Sequence, residues 1–246
     1  MTDSAALGIV PVDVDDRSAP LGCAALRTLR GRALVAGAAG TLVRSGAVRR
    51  VVVCVPPALA DAVSDALVPL TLDGVEVLPA QANGTGHRVR AALAAVPGSP
   101  EDAVVVHDPL HPLAPPGLVR EVLAALGTGG GRGGCEAVVP GRQVTDTLKW
   151  VDEDAVVRGT ADRETYRMIY SPQAYRRRAL ERALGGAGEE ELRSSGADVL
   201  PRLVQAAGGL PALVGCPEQV FRIASDDDLL LAEAMLHVSA GGTGRE

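Results

Sequence analysis

Residues 49–57 read Arg-Arg-Val-Val-Val-Cys-Val-Pro-Pro, and no other run constrains the fold as tightly. An almost unbroken apolar stretch leaves no polar face, so a strand made from it must be buried on both sides. That is the situation of a central strand in a parallel sheet covered by helices. Pro56 and Pro57 end the strand, because proline cannot donate to the ladder.

The neighbouring segments repeat the theme. Strands are predicted at 5–12, 75–80, 102–113, 135–140 and 211–215, and helices at about 32–45, 58–68, 87–96, 116–126, 176–184, 197–207 and 226–238. Strand, helix, strand, helix in units of 20 to 30 residues is a βαβ pattern. The expected fold class is α/β: a Rossmann-like, mostly parallel sheet with helices on both faces. One stretch breaks the alternation. Within 145–175, extended segments at 147–151 and 155–158 flank Asp152-Glu153-Asp154, which reads as a β-hairpin arm over about 143–172. Residues 1–246 are expected to form a single domain with that arm and a frayed tail at 239–246. The tract 127–135 (GTGGGRGGC) lacks the lysine of a phosphate loop and is read as a connection.

Composition narrows the function. Lys and Arg total 24 against 30 Asp and Glu, a formal net charge of -6, which argues against a nucleic-acid partner. No long uncharged apolar span is present, so no membrane association is expected. The Met1 segment lacks the pattern of a secretory signal, and Cys23, Cys54, Cys135 and Cys216 stand as separated singles. Both features lead to the expectation of a cytoplasmic protein with reduced thiols. Trp150, Tyr166, Tyr170 and Tyr175 cluster around the arm, where rings would serve an interface.

Parallel sheets bind ligands beyond the carboxyl ends of their strands, so His107-Asp108, where the 102–113 strand abruptly changes character, is the first place to look for chemistry. Five signals then occur in order: HDPLHPL (107–113), TDTLK (145–149), Asp162-Arg163 ahead of SPQAY (171–175), Phe221-Arg222-Ile223, and Asp227-Asp228-Leu229. In these motifs the chain resembles the methylerythritol-phosphate cytidylyltransferases, from about residue 7 to residue 238. The resemblance implies a nucleotidyltransferase (GT-A-like) fold and transfer of CMP from CTP, a nucleoside triphosphate, to a polyol phosphate. It further implies release of pyrophosphate, use of Mg2+, a role in isoprenoid precursor synthesis, and a homodimer formed through the arm.

Carried over residue by residue, it implies catalytic roles for Arg17, Asp108 and Arg163, with Asp108 as the metal ligand. Gly84, Arg88, His111, Asp146, Lys149 and Arg222 become the substrate-binding candidates, Arg163 and Arg222 on the acceptor side. The match has departures. Cys23-Ala24 stands where the family has Pro-Lys, Arg88 where it has Ser, and Asp13, Asp15 and Asp16 occupy its glycine-rich loop. Two readings follow: a divergent nucleotidyltransferase, or a catalytically inactive paralogue acting as a dimeric scaffold or sugar-phosphate binder.

Overall fold

The computed structural model describes residues 6–14, 23–68, 74–127 and 135–241. Its main feature is an eight-stranded sheet. Strand β1 (Ala6–Pro11) lies at its centre, paired in parallel with β4 (Val48–Val55) on one side and β6 (Ala103–Val106) on the other. Two short strands, β2 (Thr28–Leu29) and β3 (Arg32–Ala33), form a separate small ladder between β1 and β4 in the chain. Beyond β4 the sheet continues in parallel to β5 (Val75–Pro79).

The valine run behaves as its sequence requires. Val51, Val53 and Val55 pack on one side with helix α1 (Leu34–Arg44), helix α2 (Ala60–Leu67) and helix α4 (Pro116–Gly127). Val52 packs on the other side with helix α3 (Thr85–Ala95), helix α5 (Arg177–Gly186) and helix α7 (Val199–Ala206). Alternate side chains of one strand thus enter two separate cores, and each core holds small aliphatic residues that allow close helix-to-sheet approach.

Past β6 the order departs from simple alternation. Strand β11 (Gln173–Arg176) inserts antiparallel between β6 and β7 (Ala137–Gln143), and β10 (Arg167–Ile169) also pairs antiparallel with β7. Strand β12 (Pro211–Gly215) then adds to β7 in parallel. Neither β10 nor β11 was expected. β10 falls inside the range read as the arm, and three or four residues are too short to carry a period. The exposed hairpin itself comprises β8 (Lys149–Val151) and β9 (Val157–Thr160). The Asp152 carboxylate closes its turn by accepting the amides of Asp154 and Val156.

Other boundaries also move. Strand β6 stops at Val106 instead of running to 113, because the Asp108 side chain accepts the Leu110 amide and Pro109 and Pro112 lack a ladder donor. A short helix, α6 (Glu189–Arg193), precedes α7. Helix α8 runs Asp226–Gly241, into the range expected to fray; 242–246 lie outside the described residues. Of the clustered rings, Trp150 and Tyr166 are exposed, whereas Tyr170 and Tyr175 are buried in the body of the protein. The last two therefore serve the core rather than an interface.

Candidate active site

The chain passes from β1 through β4 to β5 on one flank, then returns through α3 to place β6 on β1's other flank. The carboxyl ends of β1 and β6 therefore border a topological switch point, the usual site of a ligand crevice in such sheets. A cleft opens there. Pro11 and Asp13 line it from the end of β1, Asp108 and Leu110 from the end of β6, and Ser171 and Arg222 from distant loops. Ala24, Thr85, Gln173 and residues 195–197 complete the wall.

Asp108 is the most constrained group in it. Its Oδ1 accepts the Leu110 amide at 2.9 Å, while Oδ2 faces His111 Nδ1 at 3.3 Å and Arg222 Nε at 3.6 Å. Neither nitrogen makes a well-formed hydrogen bond, so both contacts are electrostatic. Burial alone would raise the Asp108 carboxyl, but the His111 contact, the Leu110 amide and the Arg222 charge overturn that and hold it at about 2. The residue is ionised at neutral pH.

Behind it sits a fully buried relay. Ser171 Oγ accepts the Asp108 amide at 2.8 Å and lies 2.9 Å from His107 Nδ1. Burial, with help from His111 and against the pull of Asp108, lowers His107 to about 3, so its imidazole is neutral. His107 thus fixes Ser171, and Ser171 fixes the backbone that presents Asp108.

The opposite wall is tied by Asp13. Its carboxylate accepts the Gly84 amide at 3.1 Å and the hydroxyls of Thr85 at 3.2 Å and Ser195 at 3.0 Å. Burial pushes this carboxyl up, against the opposing pull of Ser195, Arg88, Gly84 and Thr85. Asp13, one of the three aspartates standing where the family has its glycine-rich loop, joins the end of β1, the start of α3 and the turn before α7. Asp15 and Asp16 lie outside the described residues, as does Arg17.

The predicted site residues separate into three groups. Asp108 and Arg222 meet in the cleft, and His111 touches Asp108 from a position that is itself buried. Gly84 and Arg88 do not face the cleft. The Gly84 amide is taken by Asp13, and Arg88 is wholly buried, donating to the Ala80 carbonyl and to Asn83 Oδ1. A buried guanidinium in this position braces the wall from behind, with its Nε 3.6 Å from Asp13. Asp146, Lys149 and Arg163 are exposed near the hairpin, outside the cleft lining of this chain, with Lys149 donating to Thr160 Oγ1 and Arg163 to the Thr145 carbonyl.

Sequence reasoning missed Asp13, Ser171, Gln173 and the 195–197 turn as cleft residues. Ser171 and Gln173 lay inside the SPQAY motif, a usable signal. Asp13 offered only its position just after the first strand. Away from the cleft, Arg177 is buried, donating to Glu181 and to the Leu93 carbonyl.

Comparison with known proteins resolves what such a cleft belongs to. Residues 19–238 match the family model described as 2-C-methyl-D-erythritol 4-phosphate cytidylyltransferase. The chain belongs to that family. A relative of that name from Saccharopolyspora erythraea is 36% identical over 214 residues, covering 86% of this chain and 90% of the relative. One from Frankia casuarinae is 35% identical over 215 residues, covering 86% and 73%. Among solved structures, the Thermus thermophilus cytidylyltransferase of the same name is 27% identical, covering 94% of this chain and 98% of that one at a TM-score of 0.68. The 4-diphosphocytidyl-2C-methyl-D-erythritol synthase from Anaerococcus prevotii, 18% identical with a TM-score of 0.74, covers 96% and 99% and agrees in fold. The nucleotidyltransferase-like α/β architecture expected from the resemblance is therefore that of the family.

Proposed function

We infer that this chain is a cytidylyltransferase that transfers CMP from CTP to 2-C-methyl-D-erythritol 4-phosphate, with release of pyrophosphate. The carrying observation is the family match over residues 19–238, joined to a cleft in which Asp108 and Arg222 face each other at the sheet's switch point. In this reaction an acceptor phosphate oxygen forms a bond to the α-phosphorus of CTP. The bond from that phosphorus to the pyrophosphate bridge breaks, so no covalent enzyme intermediate is needed. Catalysis then rests on positioning and charge stabilisation.

The donor chemistry fits a divalent metal. Asp108 supplies an ionised hard oxygen in the cleft, and Mg2+ is ordinarily held by one or two carboxylates with substrate phosphates. No group of three or more His, Cys, Asp or Glu side chains is gathered for a metal among the described residues. When bound, Mg2+ would neutralise phosphate charge. The protein's own residues do the rest. Arg222 presents a guanidinium to the acceptor phosphate, the Ser171–His107 relay holds Asp108 in register, and Asp13 ties the opposite wall together.

The active reading is preferred to an inactive scaffold because the cleft retains an ionised carboxylate opposite a basic side chain. We further propose that the whole chain acts as one domain and that the β8–β9 hairpin is its dimerisation arm. Trp150, Val151 and Val157 there are all more than half exposed, which favours burial against a second copy. Asp146, Lys149 and Arg163, remote from this chain's cleft, then serve the partner's acceptor site across the interface. Arg17 would meet the triphosphate. The separated free cysteines support a reducing, cytoplasmic setting, and no helix among the described residues is long and apolar enough to cross a membrane.

The test is pyrophosphate release from CTP with the methylerythritol phosphate acceptor. Activity is expected in the wild type, with a fall of about two to three decades in Asp108→Asn. Absence of turnover with every nucleoside triphosphate would favour the inactive paralogue.

A further inference from the structure

Among the described residues Arg222 is the one arginine in the cleft lining. Arg88, outside it, also buries an Nε without a hydrogen-bond partner, 3.6 Å from Asp13, but its terminal nitrogens are committed. Arg88 is held by the Ala80 carbonyl and Asn83, and Arg142 by the Tyr170 hydroxyl and the carbonyls of Glu218 and Val220. The Arg222 Nε is buried without a hydrogen-bond partner, 3.6 Å from Asp108 Oδ2, while the side chain as a whole is 37% exposed. Its backbone is anchored beside the same turn, since the Ile223 amide donates to the Leu110 carbonyl at 2.8 Å and Ile223 is buried. The geometry is a tethered cation leaning on a carboxylate through charge alone.

A carboxylate compensated in this way is a poor cation site, because guanidinium and metal compete for the same Oδ2. An oxyanion offers the guanidinium a better partner, through two parallel charge-assisted hydrogen bonds. We propose that Arg222 exchanges Asp108 for a bound phosphate oxyanion, so that phosphate binding and divalent-cation binding in this cleft strengthen one another. The inference rests on the assignment of Asp108 as the metal carboxylate in the proposed function. By linkage the effect is reciprocal: whatever phosphate does to cation affinity, the cation does to phosphate affinity.

Cation binding to the full chain is measured with Mn2+ as the probe, following free ion by electron paramagnetic resonance with and without inorganic phosphate. Complexation of Mn2+ by phosphate is measured in protein-free buffer and subtracted. In the wild type, phosphate should tighten Mn2+ by about tenfold, toward the lower end of ordinary coupling for a partly exposed pair. Arg222→Gln should bind Mn2+ more tightly than the wild type when phosphate is absent, and phosphate should then add little. Arg222→Lys keeps the charge and should retain a reduced coupling, which guards against a folding defect in the Gln variant.

Equal or weaker Mn2+ binding by Arg222→Gln without phosphate, or an equal phosphate effect in both proteins, would overturn the exchange. Asp108→Asn separates the two levels. If it binds Mn2+ as the wild type does, or if no form binds Mn2+, the metal role of Asp108 fails and the exchange falls with it. Loss of Mn2+ in Asp108→Asn with no change in Arg222→Gln removes the exchange alone.

Discussion

The Asp13 carboxylate, which lines the cleft, lies 3.6 Å from Nε of Arg88, a guanidinium with no exposed surface packed behind it. Both members are committed elsewhere, Asp13 to Gly84, Thr85 and Ser195 and Arg88 to Ala80 and Asn83. The ion pair is therefore the centre of a network, and its members should depend on each other.

Removing one partner strands a buried charge. Asp13→Asn should lower unfolding free energy by about 3 kcal/mol, the cost of breaking a buried pair. In Asp13→Asn combined with Arg88→Met, the charge that would be stranded is gone, and much of the loss should return. Urea unfolding of the two single variants and the double variant checks this; additive losses would show that the residues are not coupled.

Gly84 has φ +99°, and a Cβ there would meet the backbone of Leu192 and Arg193 at 2.4 Å. Neither the conformation nor the space suits another residue. Gly84→Ala should cost at least about 2 kcal/mol by thermal or urea unfolding. It should also weaken nucleotide binding, because the start of α3 can no longer close on the 192–195 segment.

Ser171→Ala leaves the Asp108 amide and His107 Nδ1 without their shared partner. An unsatisfied buried group costs about 1–3 kcal/mol. Turnover should fall by about one to two decades as Asp108 loses its register, whereas Ser171→Thr, which keeps the hydroxyl, should retain most of it. Pyrophosphate-release kinetics on folded protein distinguish the two.

The hairpin prediction concerns assembly. Trp150→Asp with Val157→Asp places charge on two exposed apolar positions of β8 and β9. Light scattering should report a dimer for the wild type and a monomer for the variant. A monomeric wild type at micromolar protein would remove the arm's proposed role.

Glu136 supplies a pH dependence. The hydrogen bond from Arg182 lowers its carboxyl; partial burial opposes this, and the charges of Arg182 and Arg178 add to the lowering. A carboxyl depressed in the folded state stabilises above its unfolded value and loses that contribution as pH falls through the folded value. Because the arginines are partly solvent-screened, Glu136→Gln should cost only about 0.5–1 kcal/mol at pH 7. Unfolding curves of the two proteins should converge as pH falls below the ordinary glutamate range and through the depressed folded value.

What could be read from the chain alone was the layered part. An unbroken valine strand admits a doubly covered parallel sheet, and helix-period segments between strands supply the covers; both follow from local patterns with fixed periods. The change of character at His107-Asp108 was legible too, although the strand was drawn to 113 and ends at Val106, and the ordered motifs pointed to the family. Tertiary structure decided the rest. Asp13 meets Ser195 across 182 residues of chain and Thr85 across 72, and no local period encodes such a meeting. Arg88 was a ligand candidate through its place in the family's motif, yet packing buries it beside Asp13. Short antiparallel strands such as β10 and β11 are stabilised by the ladder they enter, not by their own residues. Pairings between distant residues set the walls of the cleft, and they exist only once the sheet has brought its strand ends together.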